Sequence, residues 1–382
     1  MSSLQYQQTQ RYFAQIAQGF EEIATEELAA LGCKRVTPAF RGLHFEADPA
    51  ALYAANYQSR LATRILAPLI TFRCRDRNDL YKAAREVNWP ELFAVEHTFG
   101  LFANVSGNRK LKHSKFAALC VKDAIADCFR DACGQRPDVN RADPDLWLNL
   151  YVENEQGTIS LDTSGGSLHR RGYRRESVEA PMQETLAAAM VAFSGWQGAK
   201  PLVDPMCGSG TLLCEALMQQ CAVPAGFLRK KFGFQLLPDF DAARWRQVKA
   251  AADAKIRPLK TGAIAGSDID ATAVKAARAN CRQLPGGEAI TITRADLLTL
   301  PGFADTVLMI NPPYGLRLDQ DPSLPTFYKS LGDFLKRRCT GSEAYIYFGN
   351  RELLKHIGLR PAWKKPLHNA QLDGRLAKFE LY

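Results

Sequence analysis

From Pro201 onward the chain alternates strand-like apolar runs with helix-like stretches, and the first run passes through a glycine-rich turn into an apolar helix. Strands are predicted at Pro201 to Asp204, Ala263 to Asp268, Ile290 to Arg294, Thr306 to Ile310 and Ala344 to Phe348. Helices are predicted at Gly210 to Gln220, Thr272 to Leu284 and Leu324 to Arg338. Such alternation predicts an α/β fold with a mostly parallel, doubly wound sheet. The turn itself reads Asp204-Pro205-Met206-Cys207-Gly208-Ser209-Gly210-Thr211. Glycines there let a ligand approach the backbone, and the start of the helix offers unpaired N–H groups. The loop has neither the GxGxxG spacing of a dinucleotide site nor a lysine before Thr211, so pyrophosphate is not the expected ligand.

Three successive strands end in an acid: Asp204, Asp268 and Asp296. An acid after the second strand suits the two hydroxyls of a ribose. Asp268 is favoured for that role over Asp270, which is placed to cap the following helix. Asp296 is positioned to accept the amino group of an adenine, with Leu297 over the ring. Met206, Cys207, Gly208, Gly210, Thr211 and Ile269 complete a lining for an adenosyl cofactor, of which S-adenosylmethionine is the expected one, with no metal. Each acid alone reads as a cap or a solvated loop residue. Their repetition at three strand ends after the glycine turn favours the cofactor.

The fourth run, Thr306 to Ile310, is followed by Asn311-Pro312-Pro313-Tyr314-Gly315, at the end of the sheet where such folds place ligands. Exocyclic amines on bases are poor nucleophiles whose two hydrogens need acceptors. The Asn311 side chain, shared between cofactor and amine, and the Pro312 carbonyl can take those hydrogens and aim the nitrogen lone pair at a methyl donor. Tyr314 is expected to stack on the target base, whose extrusion from a helix costs a few kcal/mol. An isolated Asn-Pro-Pro would be an ordinary turn.

The first third reads as strand, helix, two strands, helix and strand, the ferredoxin-like order. Asp48 and Pro49 start its second helix. Residues 1–70 are expected to form this domain, residues 71–166 a second mixed α/β unit, residues 167–180 a linker and residues 181–382 the alternating domain. In the second unit Arg109, Lys110, Lys112 and Lys115 crowd a turn with no acid before Asp123, and the linker adds His169, Arg170, Arg171, Arg174 and Arg175. Both clusters are expected to contact phosphates, against the plainer reading of solvated surface charge. A net charge of +9 agrees with an anionic partner without naming one. No apolar run is long enough to cross a membrane as a helix, no secretory pattern opens the chain, and the ten cysteines lack metal spacing, so reduced thiols and a cytoplasmic location are expected. Residues 221–262 form a basic insertion with no clear pattern, and Arg375 to Tyr382 is expected to be a last strand.

These motifs resemble the THUMP-containing class I RNA methyltransferases, and most closely the large-subunit ribosomal RNA methyltransferase L family. The resemblance runs through Gly19-Phe20-Glu21-Glu22 with Leu28, Arg60 to Leu69, Ser167 to Arg174, Ala180-Pro181 with Glu184 to Ala187, the glycine loop, Asn311 to Gly315 and Lys378 to Tyr382. The run Ser-Leu-His-Arg-Arg-Gly-Tyr-Arg is its most specific part. It implies a ferredoxin-like plus THUMP module ahead of a Rossmann-like methyltransferase domain. The implied product is N2-methylguanine in 23S ribosomal RNA, with the RNA or a large-subunit assembly intermediate as partner. Leu316 and Gly374-Arg375 depart from the family pattern. In many bacteria the enzyme is fused to a second methyltransferase, whereas this chain looks like a stand-alone form. The competing expectations are N6-adenine methylation of DNA or RNA, methylation of a protein glutamine, and a non-catalytic RNA-binding assembly factor.

Overall fold

The computed structural model describes residues 4–178, 181–314, 322–369 and 372–382. The expectations placed on Ala180, Gly315 and Leu316 therefore lie outside the described residues. The elements run α1 (Gln5–Thr9), β1 (Arg11–Ile16), α2 (Glu21–Ala30), β2 (Lys34–Ala39), β3 (Gly42–Glu46), α3 (Pro49–Gln58), β4 (Ala62–Arg73), α4 (Arg77–Glu86), α5 (Trp89–Leu92), β5 (Phe99–Ser106), α6 (Ser114–Cys133), β6 (Leu146–Glu153) and β7 (Gln156–Asp162). As expected, the Asp48 side chain accepts from Ala51 N and Pro49 opens α3.

These strands make one seven-stranded sheet in the order β2-β3-β1-β4-β7-β6-β5. Its joint is β4, twelve residues long, whose first half pairs with β1 and whose remainder pairs with β7. The expected boundary between residues 70 and 71 thus falls inside a strand. A shared strand buries its backbone N–H and C=O groups on both sides, which ties the ferredoxin-like order and the second unit into one sheet.

The second half runs α7 (Glu184–Ser194), β8 (Leu202–Asp204), α8 (Thr211–Gln220), α9 (Ala242–Asp253), β9 (Ile264–Asp268), α10 (Ala271–Cys281), β10 (Thr291–Arg294), β11 (Val307–Ile310), α11 (Leu324–Arg338), β12 (Glu343–Phe348), β13 (Trp363–Asn369) and β14 (Leu372–Glu380). Its sheet order is β10-β9-β8-β11-β12-β14-β13. The first five strands are parallel, and β14 joins β12 antiparallel with β13 outside it. The last strand therefore starts before Arg375 and ends before Tyr382, and its partner β13 was not expected. Strand order reverses between β8 and β11, the crevice where open α/β sheets bind ligands. Every residue of β11 is buried, as a central strand covered on both faces requires.

Residues 221–262, patternless in the sequence, fasten the halves together. Phe232, Phe234 and Trp245 pack around Tyr53 and Tyr57 of α3, with ring centroids between 4.6 and 6.3 Å apart. Tyr6 and Tyr57 each donate at 2.6 Å to a carboxylate of the insertion, Asp239 and Asp253. Arg60 donates to the Met218 and Val223 carbonyls at the end of α8. Burying rings and pairing their hydroxyls satisfies apolar and polar needs together.

Candidate active site at the sheet switch point

The glycine turn sits at the carboxyl end of β8. Asp204 is buried, and its Oδ1 accepts from Met206 N at 3.1 Å. Burial holds its carboxyl up at about 8, against the pull of the Met206 bond, and the Asp268 carboxylate adds to the rise. Gly208 and Gly210 take positive φ values of 52° and 82°. A Cβ on Gly210 would lie 3.1 Å from Ala277 Cα on α10, so the turn and the two helices close together only around glycine.

Asp268 ends β9 with its Oδ2 accepting from Gly208 N at 2.9 Å and its Oδ1 from Asp270 N. Asp270 caps α10 through Thr272 N, the role the sequence assigned to it. Asp296 caps the short 3-10 turn Leu297–Thr299 through Leu298 N, which leaves its other oxygen free of that bond. Leu297 is buried in the apolar cluster with Ile310 and Tyr328, whereas Ile269, next to Asp268, is 60% exposed. Met206 is half-buried, and Cys207 and Thr211 are buried.

Parallel pairing sets Leu308 beside Val203, so Asp204 and the Asn311 motif leave neighbouring strands at the same edge. Asn311 Oδ1 is buried and has no hydrogen-bond partner among the described residues. A buried acceptor left unpaired costs about 1–3 kcal/mol, which points to a donor that arrives with a ligand. Pro312 is buried, and the Pro313 carbonyl accepts from the Tyr328 hydroxyl at 3.2 Å. Tyr314 is half-buried and lies edge-on to Tyr347 at 6.2 Å. Gly349 gives it room, since a Cβ there would lie 2.6 Å from the Tyr314 ring.

The linker divides in a way its sequence does not show. Arg171, expected on RNA phosphates, is instead 1% exposed: its Nε lies 3.3 Å from Oε1 of the fully buried Glu215 on α8, and it also donates to the Leu168 and Arg60 carbonyls. Tyr173 donates to the same carboxylate at 3.0 Å. A carboxylate buried on α8 needs a cation, and Arg171 supplies it. Arg174, also expected on phosphates, pairs with Glu184 at 2.9 Å and donates to Ser209 Oγ at 2.9 Å and Thr211 Oγ1 at 3.0 Å. It braces the glycine turn. Asn280, which sequence reasoning missed, donates to the Ser209 and Glu176 carbonyls and accepts from Arg175 N and Glu176 N. A lone asparagine in a helix carries no signal of that role.

Arg170 is exposed and His169 half-buried. Burial, reinforced by the guanidiniums of Arg170, Arg171, Arg64 and Arg174, lowers the His169 imidazole to about 4. Arg109, Lys110, Lys112 and Lys115 are exposed on the turn after β5 and the start of α6. Lys110 pairs with Asp76 at 3.2 Å, and buried Asn108 shapes the turn by accepting from Lys110 N and Leu111 N.

The family model described as the RMKL-like methyltransferase domain matches residues 171–378. The chain belongs to that family. Family models for the THUMP domain and the RlmL ferredoxin-like domain match residues 74–162 and 11–66. A Synechocystis sp. protein provisionally named as an RNA methyltransferase is 40% identical across 98% of this chain and 97% of that protein. The ribosomal RNA large subunit methyltransferase K/L of Photobacterium profundum is 38% identical across 95% of this chain and 52% of that protein. This chain thus spans about half the length of the K/L relatives. The crystal structure of SMU.472, provisionally assigned as a methyltransferase and complexed with SAH, is 26% identical, with a TM-score of 0.85 over 97% of this chain and 98% of that one. The second half of this RMKL-like chain has the class I fold of S-adenosylmethionine-dependent methyltransferases, behind a ferredoxin-like and THUMP module.

Proposed function

We propose that the chain methylates the exocyclic N2 amine of a guanine in 23S ribosomal RNA, as naked RNA or within a large-subunit assembly intermediate, in the cytoplasm. The observation that carries the chemistry is Asn311 Oδ1, a buried acceptor without a partner at the edge where β8 and β11 separate. The names of the K/L relatives, the THUMP match and the exposed basic turn support ribosomal RNA as the class of substrate. We place the ferredoxin-like and THUMP module in RNA binding, the linker in joining it to the glycine turn, and the domain from residue 181 in catalysis.

S-adenosylmethionine bound at the glycine turn supplies an electrophilic methyl group. In this reading Asp268 holds the ribose hydroxyls and Asp296 the adenine amino group, with Ile269 and Leu297 as apolar neighbours. Asp204, Met206, Cys207, Gly208, Gly210 and Thr211 form the turn around the remainder. Asn311 Oδ1 and the Pro312 carbonyl accept hydrogen bonds from the two amine hydrogens, which localises the nitrogen lone pair and orients it; as the nitrogen takes the methyl group from sulfur, its surplus proton leaves to solvent. Tyr314 holds the flipped base by stacking. Arg109, Lys110, Lys112 and Lys115, and exposed Arg170 of the linker, contact RNA phosphates, while His169, held neutral by burial and its arginine neighbours, contacts RNA only as an uncharged ring. Arg171 and Arg174 act inside the protein.

The test is to incubate the purified protein and isotopically labelled S-adenosylmethionine with ribosomal RNA from a strain lacking the gene. The modified nucleoside is then identified by mass spectrometry. Labelled N2-methylguanosine in 23S RNA is expected. Labelled N6-methyladenosine, or label in protein alone, contradicts the substrate assigned.

A further inference from the structure

The open face of the N-terminal sheet carries an aromatic stack that methyl transfer does not use. Phe102 on β5 lies on Trp147 of β6 with ring centroids 4.4 Å apart and planes inclined by 20°. The Arg64 guanidinium of β4 sits 4.2 Å from the Phe102 centroid and 5.7 Å from that of Trp147. These three separations make a near-right angle at Phe102. Trp147 and Arg64 therefore approach it from different sides, and Phe102 remains 41% exposed. Arg64 is held in place by an ion pair with buried Asp162.

The surroundings separate this stack from a ring pair that only stiffens an edge strand. Strand alternation puts Asn104 on the same face as Phe102, and Asn149 is the register partner of Phe102 on β6. Two amides that can read base edges thus flank the ring. The linker starts beside the stack, because Leu168 N and Ser167 Oγ both donate to the Thr63 carbonyl, next to Arg64. Arg229 donates to the carbonyls of Ser164, Ser167 and Arg170 in the same corner. Arg64 pairs there with buried Asp162, and the Arg229 bonds to the Ser164 and Arg170 carbonyls bring two more arginines to the same corner. A few residues on, the same linker reaches Ser209 and Thr211 through Arg174.

We propose that Phe102, backed by Trp147 and Arg64, is a stacking site for an unpaired nucleobase of the RNA, with the adjoining phosphate toward Arg170. Rings presented next to guanidiniums suit single-stranded RNA, because every base offers a π-face and every nucleotide a negative charge. The site rests on the RNA reading above and adds to it a single-stranded element beside the target, bound apart from the catalytic crevice.

The experiment uses the full chain and two fluorescein-labelled stem-loop RNAs, one with a short single-stranded flank and one with the same flank made abasic. The wild type should bind the intact flank about 5- to 100-fold more tightly than the abasic one. Phe102→Leu keeps apolar contact with Trp147 and should lose that discrimination while its salt dependence stays unchanged, because no charge is removed. Phe102→Tyr should restore it. Full discrimination by Phe102→Leu overturns the proposal, as does wild-type binding that ignores the flank bases; both leave RNA binding itself standing. Self-association of the wild type that Phe102→Leu abolishes would also overturn it, by making this face a protein contact. If the wild type binds neither RNA, the RNA reading fails, and this site with it.

Discussion

Arg171 Nε and Glu215 Oε1 lie 3.3 Å apart with both side chains out of contact with solvent, so the linker is locked to α8 by a buried ion pair. Removing one partner strands the other as an uncompensated charge, which costs about 3–5 kcal/mol. Arg171→Ala and Glu215→Leu should each lower unfolding free energy by that amount, measured by urea titration. The paired change Arg171→Met with Glu215→Leu should recover part of the loss, since the Leu168 and Arg60 carbonyls and the Tyr173 hydroxyl lose their partners too. A single change costing less than about 1 kcal/mol would contradict the pairing.

Asp204 gives a pH signature. Its carboxyl is held up at about 8 by burial, and Asp268 adds to this, so the folded protein holds a proton there that the unfolded chain releases near 4. The native state binds more protons between these values. This group therefore favours the fold fully below about pH 4, and its contribution declines as pH rises toward 8. A ligand bearing positive charge favours the ionised form, so cofactor affinity should rise from pH 6 to pH 8 with proton release. Calorimetric titration in buffers of different ionisation enthalpy measures that release. Proton uptake, or its persistence in Asp204→Asn, would assign the effect elsewhere.

The basic turn after β5 should act through charge. Replacing Lys110, Lys112 and Lys115 together by alanine should weaken RNA binding and reduce the slope of log affinity against log salt by about 2. Lys112 and Lys115 should account for most of it, since Lys110 already pairs with Asp76. An unchanged slope by fluorescence anisotropy removes this turn from the RNA footprint.

Sequence pattern revealed the catalytic sheet because β8, β9 and β11 are short runs that stop at Asp204, Asp268 or just before Asn311, a signal local to each run, whereas β10 (Thr291–Arg294) is mostly polar and ends two residues before Asp296. It misjudged Arg171 and Arg174 because exposure is not a property of a residue's neighbours in sequence. Arg171 and Arg170 look alike until Glu215, 44 residues away, is found beside one of them. The insertion was opaque for the same reason, since Tyr6 meets Asp239 across 233 residues. β4 concealed the join of the first two units, as one continuous strand has no internal punctuation. The polar strands β13 and β14 carry weaker apolar patterning than β11, which explains the late start assigned to β14 and the omission of β13.

In the proposed mechanism Asn311 touches both cofactor and amine, and its main contribution is to orient the amine. Asn311→Ala, assayed for single-turnover methylation of RNA and, separately, for S-adenosylmethionine binding by calorimetry, tests it most directly. Loss of positioning should slow transfer by at least about 10²-fold, with cofactor affinity changed by less than about threefold, against the tenfold that 1.4 kcal/mol represents. Transfer at the wild-type rate would show that Asn311 does not position the amine.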